Sequence, residues 1–558
     1  MTVPQHLDAV APHARQAHAA SPPRRGRRFR ASVAVVGAGQ AGLVVARELL
    51  KEGHSVTVIE AGPGIGGTWV VSPQLEGDPL GLDRSKGRVH SSMYPGLRTN
   101  LPRQLMSYLD FPFVPEAMGG ASHDPRIYPL HSEVLAYVEA YADAHDLRRL
   151  VELNTEVARI DPLPLDTGDD QSDGAGAGEG PGAGGAERPP WGQRWRVLTR
   201  SAGGGEGAEG EVVREFDSVA VCVGHHSDPI LPEIPGLREW PGPQLHVHSF
   251  RGGQRFKGQR VMVVGASFSG EEIARHVADH ADHVFHSARS WPSNGPPAGR
   301  SARGAGGAPD APFEGRANIT RVPIATELRA DGSIVLADGR VLEGIDGVVW
   351  CTGYKYSFPF MEHLGLVDTT APSLALIGLS WRAIRPQQFQ LQGQLLARAL
   401  SGAAAPLPPA DELLRAAEAD LLALDAAGIP RRYAHCMASF MPQEEWAYNT
   451  ALVAAARPPP GADAAADGEA VGGPAKGGDG VLAPPAWLIG LAKASSSVIL
   501  ERPDSFRDDF IPAVVAALEA ADEGCDELIR SGVVPASALV RAPLAKVVDA
   551  GAVGAAAH

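Results

Sequence analysis

The chain has 558 residues, of which 44% are hydrophobic and 21% charged, and its formal net charge is −15. This length is too great for one simple core, and the acidic balance argues against nucleic acid as the main partner. The four cysteines form no CxxC pair, and no stretch reaches the roughly 20 apolar residues of a membrane helix. The sequence therefore predicts no metal centre, no redox disulfide and no transmembrane segment, and a cytoplasmic location fits it best.

The first 30 residues carry six arginines and one acidic residue. We expect a disordered basic leader over residues 1–30, and a transit peptide for organelle import is the alternative. Residues 33–36 are then typical of a buried strand, residues 42–51 of a helix and residues 55–59 of a second strand. This order predicts a β-α-β unit.

A complete G-x-G-x-x-G motif joins the first strand to the helix. Its residues are Gly37, Ala38, Gly39, Gln40, Ala41 and Gly42. Glycines at these places allow a tight turn, close approach to a pyrophosphate and close helix–strand packing. Glu60 ends the second strand, where a carboxylate accepts hydrogen bonds from a ribose diol and repels a 2′-phosphate. The pattern predicts an FAD or NAD site, and the alternative is a Gly-rich turn beside a solvated Glu60.

A second glycine pair follows Glu60. Gly66 and Gly67 permit close backbone approach to a cofactor, and after Thr68 comes Trp69, which is able to cover a flat ring. A surface turn with a packing tryptophan is the alternative.

Tracts of Gly, Ala, Asp, Glu and Pro interrupt the chain at four places. We expect disordered insertions at residues 166–190 and 202–210, and similar tracts at 293–312 and 458–480. Residues 195–198 between the first two tracts are typical of a strand. The two tracts should therefore lie in neighbouring loops of a hairpin or meander.

A degenerate version of the motif begins at Gly265. Its residues are Gly265, Ala266, Ser267, Phe268, Ser269 and Gly270. A strand precedes it and a helix follows it, but the next strand ends in Ser287-Ala288-Arg289 without an acidic residue. Ser287 and Arg289 are expected where a 2′-phosphate would lie, and an arginine there favours the 2′-phosphate of NADPH, which assigns FAD to the first loop and NADPH to the second. A repeat that binds no ligand is the alternative.

Two apolar strands that end at Gly224 and Gly353 flank this second unit. The order predicts an α/β fold with two Rossmann-like dinucleotide-binding domains, the NADP domain being inserted into a split FAD domain. The expected boundaries are 31–235 for the first part of the FAD domain, 236–345 for the NADP domain, 346–457 for the second part of the FAD domain, 458–485 for a low-complexity linker and 486–558 for a C-terminal helical extension.

Several longer segments carry a family resemblance. Residues 66–69, 97–103 and 110–113, the run from Trp240 through Gly242 and His246 to Phe250, and residues 351–360 resemble the flavin-containing monooxygenases. The wording is closest to plant-type members that oxygenate sulfur. Arg251 after the fingerprint argues against relatives that form lactones.

The resemblance implies a chemistry. Such enzymes bind FAD, reduce it with NADPH and form a 4a-hydroperoxyflavin with dioxygen, which gives one oxygen atom to sulfur or nitrogen of a small substrate. Asn100 carries over as the catalytic residue, and Thr99, Thr352, Gly353 and Gln392 as cofactor contacts. Arg103 is either a phosphate ligand or a solvated arginine, and His246 is structural.

Two other functions stay open. One is oxygenation of an indole-pyruvate-type keto acid, and the other is a redox-sensing or scaffolding module that binds FAD without turnover. A homodimer also stays open.

Overall fold

A computed structural model describes most of the chain between residues 28 and 507. The described residues are 28–72, 77–83, 89–164, 191–202, 210–291, 309–310, 312–313, 315–364, 373–381, 383–426, 428, 430–431, 434–437, 442–458, 480–484, 488, 491–492 and 507. The predicted leader, the four Gly-rich tracts and the C-terminal extension lie almost wholly outside them, so those predictions remain predictions.

The described elements comprise two β-α-β units, around α1 and around α3, with a run of strands from β3 to β10 between α2 and α3. The strands are β1 (Ser32–Val36), β2 (Ser55–Ile59), β3 (Val151–Glu152), β4 (Thr155–Pro162), β5 (Trp195–Ser201), β6 (Val212–Phe216), β7 (Ser218–Val221), β8 (Asp228–Pro229), β9 (Gln244–His246), β10 (Arg260–Val264), β11 (His283–Ala288), β12 (Pro312–Phe313), β13 (Arg316–Pro323), β14 (Ala325–Leu328), β15 (Ile334–Leu336), β16 (Val341–Leu342), β17 (Gly347–Trp350), β18 (Tyr354–Lys355) and β19 (Leu374–Leu376). The helices are α1 (Gln40–Lys51), α2 (His131–Ala144), α3 (Phe268–Ala278), α4 (Arg385–Ser401), α5 (Ala410–Ala426) and α6 (Pro442–Ala456).

The first sheet is parallel and has the strand order β19-β7-β1-β2-β3. Its central strand β1 is apolar and buried, as expected for a strand covered on both faces. Helix α1 returns the chain from β1 to β2 and packs against α4. Parallel pairing brings the carboxyl ends of β1, β2, β7 and β19 to one edge, which is where such sheets bind nucleotides.

The second sheet has the order β12-β13-β11-β10-β17-β9, and its strands are parallel except for the β12–β13 pair. The unit β10-α3-β11 repeats the β1-α1-β2 plan. Strand β17 pairs with β10 and β9 inside this sheet. The predicted boundary after residue 345 is therefore too early, because the apolar residues Val348 and Val349 fill the middle of the second sheet and not the first.

Smaller sheets complete the fold. Strands β4, β5 and β6 form an antiparallel meander, and the first two tracts fall between its successive strands in the sequence. Strands β8 and β18, on the two connections between the large sheets, pair with each other. The predicted fold class, two Rossmann-like units in an α/β chain, is confirmed. No described helix is long and apolar enough to cross a membrane.

Candidate functional site

The first Gly-rich loop turns directly out of the first sheet. The amide of Gly37 donates to the Ile59 carbonyl at 2.8 Å, so the loop starts as a continuation of the β1–β2 ladder. A Cβ on Gly42 would lie 1.8 Å from the Gly37 carbonyl oxygen. Only glycine at position 42 lets helix α1 begin this close to the turn.

A second glycine turn, at Gly66 and Gly67, packs directly against this loop. A Cβ on Gly67 would come within 2.9 Å of the Gly39 Cα, so both backbones are bare where they meet. Trp69 Nε1 donates to Gln40 Oε1 at 3.0 Å and fixes the two turns together. The Nε2 atom of Gln40 is buried without a hydrogen-bond partner in the described structure, and a bound group would satisfy it.

Glu60 is the first residue after β2 and lies between the two turns. Its carboxylate accepts from the Ala38 amide at 2.7 Å and from the Gly62 amide at 2.6 Å. Each carboxylate oxygen has a further lone pair, so Glu60 retains the capacity to accept from a ribose hydroxyl.

The second loop repeats this frame. Gly265 donates to the Ser287 carbonyl at 2.9 Å, and a Cβ on Gly270 would lie 1.8 Å from the Gly265 carbonyl oxygen. Ser267 takes the N-cap place of helix α3 that Gly39 takes for α1. Ala266 lies half-buried in the turn, and the first helical residues Phe268 and Ser269 are exposed at its mouth.

A buried histidine supports the second loop from below. His286 Nε2 donates to the Gly265 carbonyl oxygen at 2.7 Å. Its Nδ1 lies 4.0 Å from Glu271 Oε1 in the first turn of α3, and both atoms lack partners among the described residues. Burial lowers the pKa of His286, so the ring is neutral near pH 7.

The end of β11 separates the two residues expected at a 2′-phosphate. Arg289 is exposed and forms no ion pair with any described residue, so its guanidinium is available. Ser287 is different: it is buried, donates to the Pro323 carbonyl at 3.1 Å and accepts from the Ala325 amide at 3.0 Å. The expectation that Ser287 lies beside a phosphate is therefore wrong, because its hydroxyl joins β11 to the β13–β14 turn.

Asn100 is exposed at the tip of a pinned loop. The preceding Thr99 is buried, its amide donates to the Pro129 carbonyl at 2.9 Å, and its hydroxyl donates to the Leu101 carbonyl at 2.8 Å. The Thr99 hydroxyl thus closes a turn around Asn100. This contact gives Thr99 a supporting position and leaves the Asn100 amide directed outward.

Arg103 occupies neither of the two places considered for it. The side chain is buried, its Nε donates to the Arg126 carbonyl at 3.0 Å, and it pairs with Glu133 at 3.3 Å. Both the phosphate contact and the solvated arginine are wrong, because a buried carboxylate and backbone carbonyls bind the guanidinium.

Backbone groups are also the hydrogen-bond partners of three residues that were expected to contact a cofactor, Thr352, Gly353 and Gln392. The Thr352 hydroxyl donates to the Ile230 carbonyl, and Gly353 accepts from the Ile230 amide at 2.9 Å, which fastens the two connections between the sheets. Gln392 accepts from the Gly378 amide at 3.0 Å and donates to the Tyr448 hydroxyl at 2.9 Å. These contacts shape the sheet edge at which a cofactor would lie.

The chain is similar to proteins of a known family. Residues 189–293 match the family described as flavin-binding monooxygenase-like, and residues 35–83 match the NAD(P)-binding Rossmann-like domain. The flavin-containing monooxygenase FMO GS-OX-like 2 of Arabidopsis thaliana is 39% identical over 423 residues, which cover 73% of this chain and 81% of the relative. The chain belongs to the flavin-containing monooxygenase family.

Other relatives agree. Flavin-containing monooxygenase FMO GS-OX5 of Arabidopsis thaliana is 36% identical and aligns over 74% of this chain and 83% of its own length. The structure of S-allyl-L-cysteine S-oxygenase from Allium sativum superimposes with a TM-score of 0.69 at 31% identity, covering 89% of this chain and all of that one. This flavin-containing monooxygenase is therefore an NADPH- and FAD-dependent enzyme, as predicted.

The family fingerprint of this flavin-containing monooxygenase lies at the edge of the second sheet, where His246 ends strand β9. His246 is buried, and its ring packs edge-on against Tyr354 of the second connection at 5.1 Å. Phe250 packs in the same way against Tyr94 at 5.1 Å. Burial lowers the pKa of His246 to about 3, so the ring is neutral and suits the structural role expected for it.

A cationic group of side chains was missed by sequence reasoning. Arg385 begins helix α4, and its Nη2 lies 3.5 Å from His226 Nε2, whose ring packs against His225 at 4.4 Å. His225 contacts the Gly378 carbonyl at 3.1 Å, at the carboxyl edge of the first sheet. Burial lowers the pKa of Arg385 and of both histidines, and no described carboxylate pairs with Arg385. The His225-His226 doublet after Gly224 was the available signal.

Proposed function

We propose that this protein transfers one oxygen atom from dioxygen to the sulfur of a small thioether. The observation that carries the proposal is the similarity to S-allyl-L-cysteine S-oxygenase over that enzyme's whole length, at 31% identity. The similarity extends over both nucleotide loops and the region between them, which supports a shared reaction type. Nitrogen oxygenation and keto-acid oxygenation are the competing outcomes of the test below.

FAD belongs to the first loop in this proposal. The Gly39–Gly67 contact, the unpartnered Gln40 Nε2 and the acceptor capacity of Glu60 fit a dinucleotide with an unmodified ribose. NADPH belongs to the second loop, where Gly270 lets helix α3 begin close to the turn and Arg289 is available for a 2′-phosphate. When bound, the reduced flavin supplies the activation of dioxygen.

The chain itself contributes binding, orientation and exclusion of water. The described site residues include no nucleophile–base pair, and the neighbouring thiols Cys222 and Cys351 are buried with raised pKa values. Asn100 is the exposed amide fixed by Thr99, and we assign it to hydrogen bonding at the junction of the two cofactors. The hydrogen bonds of Thr99 fix the backbone of the loop that carries this amide.

Arg385 and the two neighbouring histidines favour, among thioethers, those that also carry a carboxylate. Arg385 stands at the positive N-terminus of α4, and its near neighbours His225 and His226 bring no negative charge. A half-buried guanidinium without a carboxylate partner among the described residues is costly, and an anionic substrate group would offset part of that cost. A charge-assisted contact of this kind contributes on the order of 1.5–3 kcal/mol.

The test is NADPH oxidation by the purified holoenzyme with products identified by mass. The panel contains an S-alkyl cysteine, its methyl ester, a neutral dialkyl sulfide, a tertiary amine and a 2-keto acid. We expect the sulfoxide of the S-alkyl cysteine, with the ester at least about tenfold lower in kcat/KM. Oxygenation of only the amine or the keto acid would reject the sulfur proposal, and equal rates for acid and ester would reject the role of Arg385.

A further inference from the structure

A single arginine far along the chain joins the Asn100 loop to the second nucleotide loop. Arg507 Nε donates to the Thr99 carbonyl oxygen at 3.0 Å, and its Nη2 lies 3.4 Å from the Arg98 carbonyl oxygen. The same Nη2 pairs with Glu272 Oε1 at 3.0 Å. Thr99 precedes Asn100, and Glu272 lies in helix α3 two residues after Gly270.

The acceptor of this contact is held from a second side. The Tyr94 hydroxyl donates to Glu272 Oε1 at 3.2 Å, and His276 Nε2 lies 3.8 Å from the same oxygen. Tyr94 is buried against Phe250 of the family fingerprint. Burial alone would raise the pKa of Glu272, but the nearby His276 ring and the charge of Arg507 lower it, so the carboxylate is ionised.

The guanidinium geometry explains why one residue bridges both parts. Arginine has donors on Nε and on both terminal nitrogens in a rigid plane, so it reaches two acceptors at once. Here one acceptor belongs to the loop that carries Asn100 and the other to the helix that begins at the NADPH loop. The Tyr94 hydroxyl is a second contact from this loop region to Glu272.

We propose that Arg507 is a positioning residue that fixes Asn100 relative to helix α3, so that NADPH oxidation stays coupled to oxygen transfer. The proposal rests on the proposed function for the role of Asn100. Arg507 contacts a backbone carbonyl and a carboxylate, and no cofactor contact is assigned to it. Its loss should leave the flavin bound, because its described partners lie outside the Gly37–Gly42 loop.

The experiment compares Arg507→Ala, Arg507→Lys and Asn100→Ala with the parent holoenzyme. Arg431→Ala is the control, because Arg431 is exposed and pairs with Asp425 at 2.7 Å on the surface. Three quantities are measured: bound flavin from the visible spectrum, hydrogen peroxide released per NADPH consumed, and the Kd of NADP⁺ from titration of the bound flavin's absorbance.

We expect Arg507→Ala to keep its flavin, to raise peroxide release toward the level of Asn100→Ala, and to weaken NADP⁺ binding about tenfold, the loss of one charged hydrogen bond. Arg507→Lys should restore only part of each, because one ammonium cannot match both acceptors in the plane. Arg431→Ala should match the parent.

Parent-like peroxide release and NADP⁺ affinity in Arg507→Ala would overturn the proposal. So would loss of flavin in both Arg507 variants, since that indicates a general support of the fold. If the parent itself gives peroxide and no oxygenated product, the proposed function fails. The NADP⁺ titration then still tests whether Arg507 couples the Asn100 loop to α3.

Discussion

The two Gly-rich loops share one backbone plan and differ in the residues that surround it. In each loop the last glycine, Gly42 or Gly270, excludes a Cβ by the same 1.8 Å approach to the carbonyl oxygen of the first glycine. In each, the first glycine donates to the neighbouring strand, at Ile59 or at Ser287. The frame therefore binds a dinucleotide without selecting which one.

We propose that the residues after the next strand select the cofactor. Glu60 directly follows Ile59, and the residue in the equivalent place of the second unit is Ala288, with Arg289 one position later. Below the loops, Val58 pairs with Val35 whereas His286 pairs with Val263. A carboxylate between two glycine turns and an exposed guanidinium over a buried imidazole are different electrostatic sites on the same frame.

The largest expected effect comes from replacing the last glycine of one Gly-rich loop at a time. Gly42→Ala and Gly270→Ala each place a methyl group against a backbone oxygen, which costs about 1–3 kcal/mol or more. We expect Gly42→Ala to lose flavin and fold poorly. Gly270→Ala should remain yellow but should not be reduced by NADPH in an anaerobic stopped-flow experiment.

Gly347→Ala is the matched control for this pair. It lies in β17 of the second sheet, where a Cβ would meet its nearest atom at 3.4 Å, an ordinary contact. Its flavin reduction should equal that of the parent. A Gly270→Ala protein that loses its flavin, or a Gly42→Ala protein that keeps it, would reverse the assignment of the two loops.

The second effect tests selection between the nicotinamide cofactors. Arg289→Ala removes a charge-assisted contact worth on the order of 1.5–3 kcal/mol, so KM for NADPH should rise about 10-fold to 100-fold while KM for NADH stays unchanged. Arg329→Ala is the control, since Arg329 is exposed in the same domain and pairs with Glu327. An equal change for NADPH and NADH would remove the 2′-phosphate role.

Sequence reasoning predicted the parts of this comparison that depend on local spacing. The glycine positions, the β-α-β order, Glu60 and the availability of Arg289 follow from neighbours in the chain. The sequence could not show whether the side chains of Thr99, Thr352 and Gln392 bind a cofactor or a backbone group. A hydroxyl or amide near a cofactor motif is able to bind a ligand or a backbone group, and only the tertiary contacts decide between them.

Contacts between residues that lie far apart in the sequence could not be predicted for the same reason. Arg103 is buried by residues of another loop and of helix α2, and Arg507 reaches Thr99 across 408 residues. The boundary near residue 345 failed because the apolar run of β17 fits either sheet, and only its pairing with β10 assigns it.

The smallest effect tests the buried imidazole that only the second loop has. The pKa of His286 is lowered by burial below its ordinary value of 6.5, so the native ring stays neutral while the unfolded ring takes up a proton below that pH. Stability from the neutral ring is full above pH 6.5 and falls as the pH decreases below it. His286→Gln keeps a donor for the Gly265 carbonyl and removes the titration, so its thermal midpoint should fall less between pH 7.5 and pH 5.5 (about one unit either side of the ordinary histidine pKa) than that of the parent. Identical profiles for His286→Gln and the parent would show that the support of the second loop does not titrate.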